Sequence, residues 1–211
     1  MKKVLLATAV FMALGSSSVM AVEGGRINFE GLVSAETCKK VVSSAVGNSN
    51  IDGTVTLKTA HVSDVTAEVQ NSTAGVNAED FSIIIDCSDA GAGLMKSHLT
   101  MSSSFSNTKG TLDNDETLTR SGIEAAKAVD IAVHHVDDAN ALSLVKINDP
   151  SNTMEESFTN GIATYNFKAS YVKSSDAGAS VTTGLVSTNA IYTFLRVIVA
   201  SQIADNAIGA V

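Results

Sequence analysis
The sequence predicts an all-β chain folded as an antiparallel two-sheet sandwich. Three observations carry that prediction. Short apolar–polar alternations recur through most of the 211 residues, separated by turns rich in Gly, Asn and Ser. The chain has one Pro and no Trp, and it is rich in Thr, Ser, Val, Ala and Gly, a composition that suits short strands and polar turns. No strand–helix–strand alternation is visible.

Residues 1–21 are set aside as a signal peptide. Lys2 and Lys3 form a basic start, and residues 4–14 are an apolar run too short to cross a bilayer. Val19-Met20-Ala21 offers a cleavage site. Cleavage after Ala21 leaves 190 of the 211 residues, enough for one sandwich domain at 22–195 with a tail at 196–211. Loss of Lys2 and Lys3 moves the net charge from −8 to −10. So acidic a chain lacks the basic footprint that phosphate binding needs, and nucleic acid is not an expected partner. Two cysteines in an exported chain most economically form one bridge, Cys38–Cys87.

The elements follow in order. Ile27, Phe29, Leu32 and Val33 give an opening strand, interrupted at Gly31 as a bulge interrupts alternation. Residues 39–50 read as a loop. Residues 53–58 (GTVTLK) read as a strand, with Val55 and Leu57 on one face and Thr54 and Thr56 on the other. Residues 60–67 fit neither a clean strand nor a helical face. Phe81-Ser82-Ile83-Ile84-Ile85 is the most apolar strand and is expected to be central. Residues 98–104 alternate as a half-buried strand. Residues 107–120 read as a polar loop, and 123–128 as a short helical turn. Residues 129–136 alternate clearly and pair as a hairpin with Leu142, Leu144 and Ile147 across a turn at 137–140. Residues 149–160 read as a loop. Residues 163–172 (ATYNFKASYV) alternate Tyr165, Phe167, Ala169 and Tyr171 against polar partners, and 184–199 form a last strand or pair of strands. Seven to nine short strands of this kind make an immunoglobulin-like sandwich with Greek-key connections.

The chemistry-bearing motifs are weak. His134 and His135 are adjacent strand residues and point to opposite faces, so they do not ligate one ion together and read as solvated or half-buried. Asp113-Asn114-Asp115-Glu116 has the start of a calcium loop, but Leu118 stands where that loop needs Gly, so it reads as a solvated acidic loop. Gly91-Ala92-Gly93 lacks the third Gly of a dinucleotide loop and reads as a turn. Asn71-Ser72-Thr73 is a formal glycosylation sequon. No nucleophile has a partner at sequence level, so no catalytic residue, cofactor or metal is expected and the chain is read as a non-enzyme.

Laid out this way, residues 24–195 resemble the pilin subunits of chaperone–usher fimbriae, the type 1 and P pilus group. Gly24-Gly25-Arg26-Ile27-Asn28-Phe29-Glu30-Gly31 is similar to the family's G-x-V-x-F-x-G opening, and Cys38 follows at the family's spacing. Thr54-Val55-Thr56-Leu57 resembles its second strand. Phe81-Ser82-Ile83-Ile84-Ile85-Asp86-Cys87 resembles its F-x-I-x-L…C strand, one residue shorter before the cysteine. Residues 129–133 resemble its G-V-x-I strand, Phe167-Lys168-Ala169-Ser170-Tyr171 its F-x-A-x-Y strand, and Asn189-Ala190-Ile191-Tyr192-Thr193-Phe194 its closing N-A-x-x-T-F strand. Their order and spacing, rather than any single piece, carry the likeness.

The resemblance implies a sandwich missing its final strand, with an apolar groove between first and last strands. It implies that a periplasmic chaperone fills the groove, that an outer-membrane usher assembles the fibre, and that a neighbouring subunit's donor strand then completes the fold by strand addition. It implies an exported structural subunit of a surface fimbrium, in a homopolymer or a mixed fibre, supporting cell adhesion. The alternative is a minor tip or adhesin subunit that binds a host or surface ligand. Two departures bear on this. Cleavage after Ala21 leaves Val22-Glu23 before Gly24, and at about 3.3 Å per residue that is too short for a donor strand. Either cleavage falls earlier, for example after Gly15, or the subunit does not donate in the usual way. The chain also continues past Leu195 without the family's penultimate Tyr. Ile203, Ala207 and Val211 either act as an intramolecular donor strand or belong to a plain tail.

Overall fold
The computed structural model describes residues 38–44, 52–89, 94–175 and 178–198. The chain divides into Met1–Val33 and Ser34–Val211. The first unit lies outside the described residues, and with it the expected opening strand and signal peptide; so does the turn at Gly91-Ala92-Gly93. Everything below concerns the second unit.

Among the described residues every regular element is a strand: β1 Lys39–Ser44, β2 Val76–Asp86, β3 Leu94–Ser102, β4 Leu112–Asp113, β5 Thr119–Arg120, β6 Ile123–Glu124, β7 Val129–Val136, β8 Leu142–Leu144, β9 Met154–Ser157, β10 Ile162–Lys173 and β11 Ile191–Ile198. One sheet runs β1-β2-β10-β7-β4, with β8 also paired to β7. The second runs β11-β3-β9, and β5 and β6 form a small hairpin. All strand pairs are antiparallel. The chain changes sheet at β2–β3, β3–β4, β8–β9, β9–β10 and β10–β11, as an immunoglobulin-like Greek key does. The all-β antiparallel sandwich expected from the sequence is therefore the architecture observed.

One core joins the two sheets. Ile83, Ile85, Ile131, Val133, Tyr165 and Phe167 project from the first sheet onto Leu99, Met101 and Met154 of the second. The alternation in β10 explains its part: Ala163, Tyr165, Phe167 and Ala169 are buried while Thr164 and Asn166 are exposed. Phe167 stacks on Phe81 with ring centroids 5.0 Å apart, and these two residues are direct partners in the β10–β2 register. β7 is the strand buried on both faces, more fully than β2, whose Ile84 stays half-buried. Its second cover is the segment 65–75. Val65 is buried and Val69 packs on Ala132, Leu144 and Val172. Four 2.8 Å hydrogen bonds fasten this strap: Lys173 N–H to Ala67 O, Leu144 N–H to Asn71 O, His134 Nε2 to Gln70 O, and Gly75 N–H to Ser170 Oγ. Gly75 lies so close to β10 that a Cβ there would collide with the carbonyl oxygen of Tyr171, so only glycine fits.

Five local expectations are corrected. Residues 39–44 were expected in a loop and form β1, because two lysines and two serines are tolerated on an edge strand whose Val42 reaches the core. Residues 53–58 are extended and place Val55 and Leu57 on the core, as their alternation predicts, yet they join no ladder. The polar stretch 107–120 contains β4, drawn in by the buried Leu112, and β5. Residues 123–128 form no helical turn; Ile123–Glu124 is β6, and Ala125, Ala126 and Ala128 are buried. The loop 149–160 contains β9, anchored by buried Met154 and paired with β3. The alternation at 129–136 does give the β7–β8 hairpin. Its turn is held by Asp137 Oδ1, which accepts from the N–H groups of Ala139 and Ala141, with Asn140 at φ 61°.

Candidate functional site: a seam between two sheet edges
β1 ends the first sheet and β11 ends the second, and both edges lie on the same side of the sandwich. Lys40 Nζ stands 5.0 Å from the centroid of the Phe194 ring, and Arg196 Nη1 donates to Cys38 Sγ at 3.7 Å. Asp52, which opens the extended stretch 53–58, acts electrostatically on Tyr192. Burial first, and that carboxylate second, push the Tyr192 phenol up from its ordinary value. The seam thus lies between β11 on one side and β1 with residues 53–58 on the other.

The order of residues in β11 follows from this position. Tyr192, Phe194 and Arg196 are half-buried against the core, while Ile191 and Leu195 are 66% and 69% exposed. Across the seam Val55, Leu57 and Cys38 are also half-buried core neighbours, whereas Tyr165 and Phe167 on the central strand β10 are shut away. Upstream polar contacts set where β11 starts: Ser103 Oγ donates to Asn189 O at 2.5 Å, and Ser187 N–H donates to Asn114 Oδ1 at 2.8 Å. Asn114, expected in a solvated acidic loop, is buried and also donates to Ala126 O and Leu185 O.

Cys38 and Cys87 are bridged. They continue the β1–β2 register, in which Lys39 faces Asp86, so the bridge ties the seam-side edge strand to the interior of its sheet. At the far edge β9 carries charge. Glu155 pairs with Lys96, and with His98 at 3.0 Å. Hydrogen bonding to Lys96 holds the Glu155 carboxyl below its ordinary value.

His134 and His135 do point to opposite faces, but neither is solvated. His134 is fully buried under the strap, and His135 faces the core with Nε2 3.2 Å from Glu156 Oε1. His61 is exposed and His98 belongs to the β9 cluster. Among the described residues no His, Cys, Asp or Glu group is placed to hold a metal ion. A shallow recess of about 520 Å³ between β2, β10 and the β7–β8 turn is lined by Asp80, Ser82, Asn166 and Lys168; Lys168 is paired with Asp80.

The His135–Glu156 pair makes stability depend on pH with opposite signs in two windows. Burial holds the His135 imidazole below its ordinary 6.5, against the pull of Asp137 and Asp138. The unfolded chain therefore binds the proton first, and stability falls as pH drops through 6.5. Burial, then Asp138 and Asp137, push the Glu156 carboxyl above its ordinary 4.5. Here the folded chain binds the proton first, so stability is regained as pH falls from that raised value towards 4.5. Thermal melts from pH 7.5 to 4.5 should show the upper limb flattened in His135→Gln and the lower limb flattened in Glu156→Gln. An unchanged upper limb in His135→Gln would contradict the assignment.

No protein-family model matches the chain, and no curated protein matches it. Solved structures do. The P pilus rod subunit PapA matches at 19% identity and a TM-score of 0.48, over 69% of this chain and 92% of that one. A chaperone–usher pilus whose structure addresses rod uncoiling matches at 18% identity and 0.46, over 82% and 94%. The CupB6 tip adhesin from Pseudomonas aeruginosa matches at 14% identity and 0.39, over 59% of this chain and 32% of that one.

The family resemblance implies a groove between the first and last strands, and β11, which borders the seam, lies within the expected last strand. The first strand lies outside the described residues. What sequence reasoning missed is the contribution of β1 and of the pair Lys40 and Arg196. Two adjacent lysines read as a loop, and no local pattern pairs a cation with a ring some 150 residues later.

Proposed function
We propose that this chain is a structural subunit of a surface pilus, completed and polymerised by strand addition at the seam. The observation that carries the reading is β11. It is an edge strand with exposed Ile191 and Leu195 on one face and half-buried Tyr192 and Phe194 on the other, set over an unclosed margin of the core. An extended segment laid there gains main-chain hydrogen bonds along β11, and its alternate side chains meet the core. The disulfide beside the seam and the pilin-like order of strand motifs in residues 24–195 support the same reading.

On this proposal the chain is exported through the periplasm, where a chaperone protects the receptive edge from aggregation. An outer-membrane usher then exchanges the chaperone for a neighbouring subunit. No catalytic step is needed. The test is a gene deletion scored by electron microscopy and by attachment. A shaft subunit gives missing or shortened fibres. Intact fibres with lost attachment transfer the role to a tip subunit, and unchanged fibres with unchanged attachment refute both.

A further inference from the structure
The seam is electrically uneven along its length. Arg196 Nη1 donates to Cys38 Sγ, and Lys40 Nζ lies 5.0 Å from the centroid of the Phe194 ring, so two half-buried cations stand beside the 194–196 part of β11. Asp52 acts instead on Tyr192, and from Tyr192 to Arg196 is roughly 13 Å at about 3.3 Å per residue. Among the described residues neither cation pairs with a carboxylate, whereas Lys39, Lys58, Lys96, Lys109 and Lys168 each do. Acid is not scarce in the chain, which has 22 Asp and Glu against 14 Lys and Arg. A disulfide sulfur and a ring face are weak partners, and they leave most N–H groups of the two cations open to a stronger acceptor. A part-buried cation has also given up some hydration, so a carboxylate brought to it gains more than at an exposed site.

The alternation of β11 sets where that carboxylate stands. Tyr192, Phe194 and Arg196 lie towards the core, and Ile191, Thr193 and Leu195 lie outward and exposed. A strand paired with β11 puts every second side chain on the core side with the first three. Antiparallel pairing is the more stable form, and every described ladder is antiparallel. In that direction the incoming residue beside Arg196 comes first. The next core-facing residue meets the Phe194 ring, and the one after it meets Tyr192, where Asp52 repels a second acid.

We infer that the seam selects a partner strand carrying a carboxylate at its leading core-facing position, beside Arg196 and Lys40, followed by apolar residues at the core-facing positions after it. The inference rests on reading the seam as a strand-accepting site. It adds the charge pattern of the strand that the site takes.

The test is calorimetric titration of the full exported chain with short synthetic peptides. The parent peptide alternates outward threonine with core-facing valine. Three others carry aspartate at the first core-facing position, aspartate at the last, or lysine at the first. The aspartate-first peptide should bind roughly tenfold more tightly than the lysine-first peptide, and more tightly than the aspartate-last one. In a Lys40→Glu and Arg196→Glu double variant the lysine-first peptide should become the tighter binder. If that variant fails to fold, the aspartate-first and aspartate-last peptides on the unaltered chain decide alone. Equal binding of all four peptides overturns the charge selection and leaves strand addition standing. Tighter binding of the aspartate-last peptide overturns the stated register. Binding of none counts against strand addition and overturns the selection that rests on it.

Discussion

Replacing Cys38 and Cys87 together by alanine is expected to lower stability by about 4 kcal/mol on the chain-entropy account of loop closure. The bridge spans a sequence separation of 49. Without it the unfolded chain regains the freedom of a long loop. The folded chain loses a tie between β1, which is paired on one side only, and the interior strand β2. Cys87 is also a core residue, 2% exposed, so a small packing loss adds to the effect. A loss of that size lowers the melting temperature by roughly 8–16 °C in a domain of this length. Because β1 carries Lys40 to the Phe194 ring, the same double variant should loosen the seam before the core. Amide exchange in β1 should rise more than in β10. A melting temperature within about 2 °C of the parent protein would contradict the account.

Phe167→Ala should cost about 3–5 kcal/mol, the range for deleting a buried aromatic side chain. Phe167 is 1% exposed and stacks on Phe81. Its centroid is also 5.5 Å from the His135 ring and 6.4 Å from the Tyr165 ring. Removing it empties the middle of an aromatic row running through β2, β10 and β7. The neighbours are fixed by ladders on both sides of β10, so the space closes poorly. Phe167→Leu, which keeps most of the volume, should cost clearly less. Urea denaturation of both variants is the measurement. Equal losses would show that volume at this position does not limit stability.

Strands whose alternation reflects burial on one face were legible in the sequence. Tyr165, Phe167 and Ala169 announced β10, and Val129, Ile131 and Val133 announced β7. Strands that owe their place to partners were not. β1 begins with two lysines, β9 contains Glu155 and Glu156, and β4 is two residues within a polar run. Each is held by the ladder of a stronger strand, and a pairing made at long range leaves no local period. Residues 53–58 show the converse, since their alternation correctly predicts which side chains face the core but not whether the backbone finds a partner. Of the candidate site, β11 was readable within the expected last strand at 184–199, and the disulfide from the two cysteines of the chain. The burial of His134 was not, because the strap that covers it arrives from residues 65–75.

The unequal treatment of the sheet margins has a consequence for any assembly. β9 is four residues long and holds its charges in a Lys96–Glu155–His98 cluster. β4 is shorter still, and the outer side of β8 is occupied by the strap through Asn71. Short, charged or covered margins resist pairing with foreign strands. Among the described residues that leaves the β1 and β11 margins, which border the same seam, as the uncovered ones. If strand addition at that seam joins the molecules, as proposed, units with one such site that each offer one strand link only end to end. Chains of such units would grow without branching and without sheet-like clumping.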